Sequence, residues 1–221
     1  VIDYYAETHG RNSWDGKGAE VLQLVHYGKD FNNAFWDGHN KIMAIGDGDQ
    51  YFFKEFTRSL DVAGHEFSHA VVTGTVNLVY QGQPGALNES FADVMGVMID
   101  RDDWLIGEDI VTTYQFPNGY ARSFIDPPGG NQPKHMDQLF TGYEDYGGVH
   151  FNSGIPNQAF YLMSQGGGHP RTKTTSTVAA IGIAKANHIF YTANVSLYTS
   201  MTNYEGARYA TAQAAENLYG R

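Results

Sequence analysis

The sequence predicts an α+β fold: a β-rich front lobe over residues 1–75 and a mainly α-helical lobe over 76–221. Three observations carry that reading. Short apolar runs separated by Gly-Asp turns dominate up to about residue 58, and apolar residues recur at helical spacing from Leu60 onward. Gly supplies 26 of 221 residues, which calls for many tight turns. The change of pattern between Leu60 and Val76 is the expected lobe boundary, and a cleft at such a boundary is a usual place for a site.

Along the chain, Val21–Tyr27 and Lys41–Ile45 read as strands, with Asp47-Gly48-Asp49 as a hairpin turn. Val62, Phe67, Ala70 and Val71 place a helix from Leu60, and a second is expected over Asn88–Asp100. Residues 101–153 carry Pro117, Pro127-Pro128-Gly129-Gly130, Pro133 and Gly147-Gly148 and read as a long irregular connection. Three further helices fit Asn157–Ser164, Ser176 to about Tyr198, and Tyr204–Tyr219. The last opens on a Thr202-x-x-Glu205 capping box. Gly166-Gly167-Gly168 follows a helix and reads as its stop signal, not as a phosphate cradle.

Composition narrows the function. Lys and Arg total 14 against 24 acidic residues, a net charge of −10 that disfavours nucleic acid as a partner. No apolar run is long enough to span a bilayer, so no membrane role is expected. With no Cys, disulfides, thiolate nucleophiles and zinc fingers are excluded, and any metal must be held by His and carboxylates. The start, Val1-Ile2-Asp3-Tyr4-Tyr5, has neither an initiator Met nor a charged and then apolar signal and reads as that of a processed or excised chain.

His65-Glu66-Phe67-Ser68-His69 fits H-E-x-x-H within the helical stretch. Residues four apart share one helix face, so both imidazoles can reach one ion. A catalytic zinc site needs three protein ligands and an open position, and Glu89 is the candidate third donor. It follows His69 by enough chain for a helix to end, a loop to turn back and a second helix to present a carboxylate. Asp93, one helical turn on, fits the partner that fixes a ligating imidazole.

His65–His69, Tyr80-Gln81 and the run Gly85-Ala86-Leu87-Asn88-Glu89-Ser90-Phe91-Ala92-Asp93 together resemble the thermolysin family of zinc metalloendopeptidases. Asn33-Ala34-Phe35-Trp36, Gly46-Asp47-Gly48, Ile106-Gly107-Glu108-Asp109, Gly147-Gly148-Val149-His150 and Asn152-Ser153-Gly154 follow family segments in order, so the resemblance covers nearly the whole chain. It implies the family's two-lobed fold with the zinc helix at the cleft. It also implies one catalytic zinc on His65, His69 and Glu89, with Asn88, Asp93 and Asp145 in support. Glu66 would serve as general base, and Tyr80 and His150 as donors to the oxyanion of the attacked carbonyl.

By the same resemblance, Arg122 would hold a substrate carbonyl, and Asn33 and Ala34 would pair with the substrate as an added strand. Phe53, Phe56, Val62 and Ala121 would line a pocket for a bulky apolar residue just after the cut bond. Asp61, Asp100, Asp103 and Glu108, with the carbonyl of Leu105, would hold calcium. Leu105 stands where the family has Glu, which implies one ion instead of two. The implied protein is a secreted, monomeric neutral endopeptidase acting on proteins and peptides.

Two rival readings stay open. An aminopeptidase would share the zinc motif but need acidic groups for a free amino terminus, and no such motif is visible. A non-catalytic zinc-binding fragment is the other, because relatives normally carry a β-rich segment before the stretch resembling Val1 and helical residues after Gly220.

Overall fold

The structure is a computed structural model of the chain, and it describes residues 1–169 and 176–220. Residue contacts gather the chain into two units, 1–77 with 92–123 and 78–91 with 124–221.

The first unit opens on a helix where the sequence had suggested only strand-like runs: α1 (Ile2–His9), with Asp3 in its first turn. Gly10 stops it in the left-handed conformation and donates to the Ala6 carbonyl. Three strands follow: β1 (Leu22–Leu24), β2 (Ala34–Asp37) and β3 (Ile42–Ile45). β3 lies in the middle, parallel to β1 and antiparallel to β2. β1 is shorter than the run Val21–Tyr27 because His26 and Gly28 adopt positive φ and end the extended backbone. No hairpin forms at Asp47–Asp49. Asp49 Oδ1 instead accepts from the backbone N–H groups of Tyr51 and Phe52, rounding the chain into a turn, and Phe53 bridges to Val111.

α2 (Leu60–Thr73) carries the HExxH motif. Ser59 is its N-cap and accepts from the Val62 N–H, with Asp61 in the first turn. Its inner face buries Phe67, Ala70 and Val71, and the Tyr5 hydroxyl meets Ser68 Oγ at 2.6 Å, tying α1 to α2.

α3 (Gly82–Ile99) starts six residues before the expected Asn88. Gly82-Gln83-Pro84-Gly85 looked like a loop, but a proline in the first turn lacks only an N–H that has no intrahelical acceptor there. A Cβ on Gly85 would lie 2.5 Å from Val149 Cγ1, so close packing demands that glycine. From Ala92 the helix belongs to the first unit, where it crosses α2. A Cβ on Gly64 would lie 2.8 Å from Ile99 Cδ1 and 3.3 Å from Gly96 Cα, and one on Gly96 would lie 2.7 Å from the Asp61 carbonyl. The missing side chains let the two backbones approach. β4 (Leu105–Ile106) and β5 (Arg122–Ser123) then pair antiparallel.

In the second unit, α4 (Glu144–Asn152) occupies part of the stretch expected to be irregular. Its residues Asp145 to Gly148 all have positive φ, forming a left-handed turn before a right-handed one. α5 (Gly154–Gln165) ends at Gly166, as the glycine run suggested, and Gly167–Gly168 form β6, paired with β7 (Thr177–Val178). The expected helix over Ser176–Tyr198 is therefore shorter. Gly182 at φ 83 precedes α6 (Ile183–Thr192), which continues into a π turn over Ala193–Leu197. Asn203, not Thr202, caps α7 (Tyr204–Tyr219), its Oδ1 accepting from Gly206 N–H at 2.9 Å. Thr202 Oγ1 instead accepts from Thr199 N–H. Phe124 and Phe160 pack edge to face, both wholly buried.

Candidate metal centre

In the first unit, α2 presents His65, Glu66 and His69 within one turn, the first two buried. Asp93 of α3, wholly buried, lies 2.8 Å from His65 Nδ1. Arg122 of β5 grips the same carboxylate, with Nη2 at 2.7 Å and Nε at 2.9 Å. Burial works to raise the Asp93 pKa, but the charges of Arg122 and His65 and their hydrogen bonds outweigh it and hold the carboxyl below the usual range. Asp93 is thus an acceptor for His65 Nδ1, which leaves Nε2 as the ring nitrogen that faces outward. That nitrogen lies 3.0 Å from His69 Nε2. Two imidazole nitrogens converging on one place suit a shared cation, so these side chains fit zinc.

Arg122, which the resemblance puts at a substrate carbonyl, also makes a contact inside the chain. In the structure its guanidinium lies on Asp93, with Nη2 also 3.5 Å from His65 Nδ1. Nothing in the sequence spacing signalled that contact, which spans 29 residues.

In the second unit, Glu89 is 1% exposed with Asn88 buried beside it. The Tyr80 hydroxyl donates to the Glu89 carboxylate and lies 3.2 Å from His150 Nε2. His150 Nε2 is in turn 3.5 Å from Glu89 Oε2, so three groups far apart in sequence converge. Asp145 takes both ends of His150, its Oδ2 accepting from the backbone N–H at 2.7 Å and its Oδ1 facing Nδ1 at 2.5 Å. The left-handed turn makes this double grip possible by curling Asp145 back over the residue five positions later. Aspartate tolerates that conformation, and Gly147 and Gly148 adopt it freely. Tyr146, at φ 51 and ψ 38, is the costly member, at about 1–2 kcal/mol. Glu89 and Asp93 are four residues apart on one continuous helix and so share a face.

A second acidic group lies in the first unit. Carboxylate oxygens of Asp61, Asp100 and Glu108 come within 4.8 Å of one another. Burial first, then the charge of Asp61, pushes Glu108 up to about 7, and its Oε2 is buried without a hydrogen-bond partner among the described residues. A hard cation would suit such a cluster. Asp103 stands outside this group, its Oδ1 accepting from Leu105 N–H at 2.7 Å.

Phe53 and Val62 pack, half-buried, against the buried cluster of Ala34, Ile45, Phe56 and Ile110. Phe56 is thus a core residue, whereas Phe53 and Val62 retain exposed surface. β2 pairs only with β3 and is a sheet edge among the described residues. The Asn33 carbonyl accepts from Gly46 N–H at 3.0 Å.

Residues 1–73 match the catalytic domain of thermolysin metallopeptidase, and residues 76–221 match its α-helical domain. The chain belongs to the thermolysin family of metallopeptidases. It is 45% identical over 220 residues to neutral protease B of Bacillus subtilis (strain 168), and 44% identical over 225 residues to thermolysin of Alicyclobacillus acidocaldarius subsp. acidocaldarius. Each match uses the whole of this chain and 40% of the relative, so this thermolysin-family chain spans well under half the length of those proteins. The precursor of protealysin, a metalloproteinase from Serratia proteamaculans, superposes with a TM-score of 0.83 at 34% identity. That match covers all of this chain and 70% of protealysin's, and it shows the α+β thermolysin-like fold. The family implies zinc. No helix among the described residues is long and apolar enough to cross a membrane.

Proposed function

We propose that the chain carries the catalytic apparatus of a zinc-dependent neutral endopeptidase that hydrolyses internal bonds of extracellular proteins and peptides. The observation that carries this is the pair of Nε2 atoms on the HExxH helix, 3.0 Å apart and backed by an ionised Asp93.

His65, His69 and Glu89 would hold the zinc. When bound, zinc supplies a Lewis acid and lowers the pKa of its water toward about 7. Asp93 keeps the His65 proton on Nδ1, and Arg122 balances its charge. The Glu66 carboxylate, one residue after His65 on the same helix, accepts a proton from the attacking water and passes it to the leaving amine nitrogen. Tyr80 Oη and His150 Nε2, 3.2 Å apart, supply two donors at one point, where the carbonyl oxygen gathers negative charge. Asp145 fixes the His150 ring through Nδ1 and offsets the charge of its doubly protonated form.

The edge of β2 at Asn33 and Ala34 suits a substrate backbone laid down as an added strand. The exposed faces of Phe53 and Val62 suit a bulky apolar residue after the cut bond, with Ala121 leaving that pocket roomy. Asp61, Asp100 and Glu108 would hold one structural calcium, with Asp103 and the Leu105 carbonyl alongside.

The test is direct. Zinc-loaded protein should cleave casein and an amino-blocked apolar peptide, and failure on both overturns the proposal. Glu66→Gln should retain one zinc per chain while losing nearly all rate, and a variant that kept its rate would remove Glu66 from the base role.

A further inference from the structure

The left-handed turn beside His150 does more than place Asp145. Tyrosine is a poor choice for its second position, where the backbone stands at φ 51 and ψ 38 and an asparagine or glycine would be unstrained. The neighbours need their residue types for visible reasons: a Cβ on Gly147 would lie 3.1 Å from Gln81 Nε2, and one on Gly148 would lie 2.6 Å from the Phe140 ring. Tyr146 has no such constraint, since it is 62% exposed and fills no core space. A bulky side chain held in an unfavourable conformation on the surface, next to a candidate active site, calls for a functional reason.

Its ring supplies one. The Tyr146 ring meets the Tyr80 ring edge-on, with centroids 5.6 Å apart and planes at 66°. The Tyr80 ring meets the His150 ring in the same manner at 6.2 Å and 74°. Tyr80 itself is 37% exposed and precedes α3 in a short connection; Glu89 and His150 meet its hydroxyl, and the Tyr146 ring lies against its ring.

We propose that Tyr146 is a positioning residue: presented by the left-handed turn, its ring braces Tyr80 so that the phenol stays aimed at the point it shares with His150 Nε2. This rests on the reading of Tyr80 as an oxyanion donor. One turn thereby positions both donors, His150 through the Asp145 carboxylate and Tyr80 through the Tyr146 ring. The effect falls on the rate step, because an oxyanion donor acts where charge develops and not on the resting substrate.

The experiment compares Tyr146→Asn, Tyr146→Phe, Tyr80→Phe and the double variant Tyr146→Asn/Tyr80→Phe. Tyr143→Ala, at a neighbouring residue that is 98% exposed, is the control. Asparagine suits the left-handed backbone, so the fold should hold. Tyr146→Asn should lower kcat about 2- to 10-fold, the range an edge-on aromatic pair supports, with KM unchanged and Tm not lowered, since asparagine relieves the strain of the turn. Tyr146→Phe should keep the wild-type rate, Tyr143→Ala should change nothing, and Tyr146→Asn should cost no further rate once Tyr80→Phe is present. An unchanged kcat in Tyr146→Asn, or a loss of equal size on the Tyr80→Phe background, overturns the proposal. If Tyr80→Phe alone keeps full rate, the donor reading fails instead. The bracing is then read without activity, from Tyr80 ring signals in 13C-tyrosine-labelled protein, assigned by their loss in Tyr80→Phe. They should shift in Tyr146→Asn and not in Tyr143→Ala, and signals unmoved by Tyr146→Asn overturn the bracing itself.

Discussion

The carboxylate of Asp93 is wholly buried, and its Oδ1 serves both His65 Nδ1 and Arg122 Nη2 while Oδ2 accepts from Arg122 Nε. It therefore makes an imidazole tautomer and a buried charge depend on one side chain. Asp93→Asn keeps the shape and removes the anion. The tautomer is then no longer enforced and Arg122 is left uncompensated, so zinc affinity should fall about 10- to 100-fold. Competitive chelator titration at fixed pH measures this. Asp93→Ala should also lose about 3–5 kcal/mol of stability by leaving a part-buried cation unpaired, read by urea denaturation.

The crossing of α2 and α3 predicts a second loss. Gly96→Ala puts a methyl 2.7 Å from the Asp61 carbonyl, a backbone atom that cannot swing aside. The expected cost is about 1–3 kcal/mol, typical of overpacking. The same shift should weaken zinc binding, because His65 and Asp93 flank the crossing. Denaturant unfolding and zinc titration of the one variant check both.

Glu108 gives a pH dependence of definite sign. Its folded pKa, about 7, lies above the ordinary carboxylate value because burial and the charge of Asp61 oppose ionisation. The folded state therefore binds the proton more tightly than the unfolded chain. The associated stability is complete below the ordinary value and declines as pH rises through about 7. In chelator, Tm should fall between pH 5 and pH 8, and millimolar calcium should reverse most of that fall. Glu108→Gln should flatten the pH curve.

Asp49 behaves oppositely. The Asn32 amide, with the backbone N–H groups of Phe52, Tyr51 and Phe53, lowers it to about 2 against the opposing effect of desolvation. Its contribution is present above the ordinary carboxylate value and is lost as pH falls toward about 2. Asp49→Ala should therefore lose stability at neutral pH and show a shallower acid limb, measured by urea unfolding from pH 5 to pH 2.

The parts of this chain legible in the sequence are those set by short-range rules. The HExxH spacing needs only helical periodicity, and α2, α5 and α7 announced themselves through apolar recurrence and flanking glycine or polar residues. Elsewhere in the chain, local signals conflict with tertiary packing. The start of α3 was hidden by Pro84 and two glycines, one of which is there to admit Val149. The left-handed turn at Asp145–Gly148 looked like a loop because its glycines are indeed non-helical. Residues that act at long range, Arg122 on Asp93 and Tyr146 on Tyr80, left no spacing signal, since nothing in the chain between them fixes the approach.

The glycine crossing also limits how this chain can vary. Glycine is the smallest residue, so every substitution at Gly64 or Gly96 adds volume and no conservative intermediate exists. A change at one position cannot be offset at the other, which is already minimal. At Gly64 a shorter side chain in place of Ile99 can compensate, but at Gly96, where a Cβ would meet the Asp61 carbonyl, compensation must come from moving a whole helix, and with it His65 or Asp93. Neutral drift is therefore closed at Gly96, while the surface around Tyr143 is open to it.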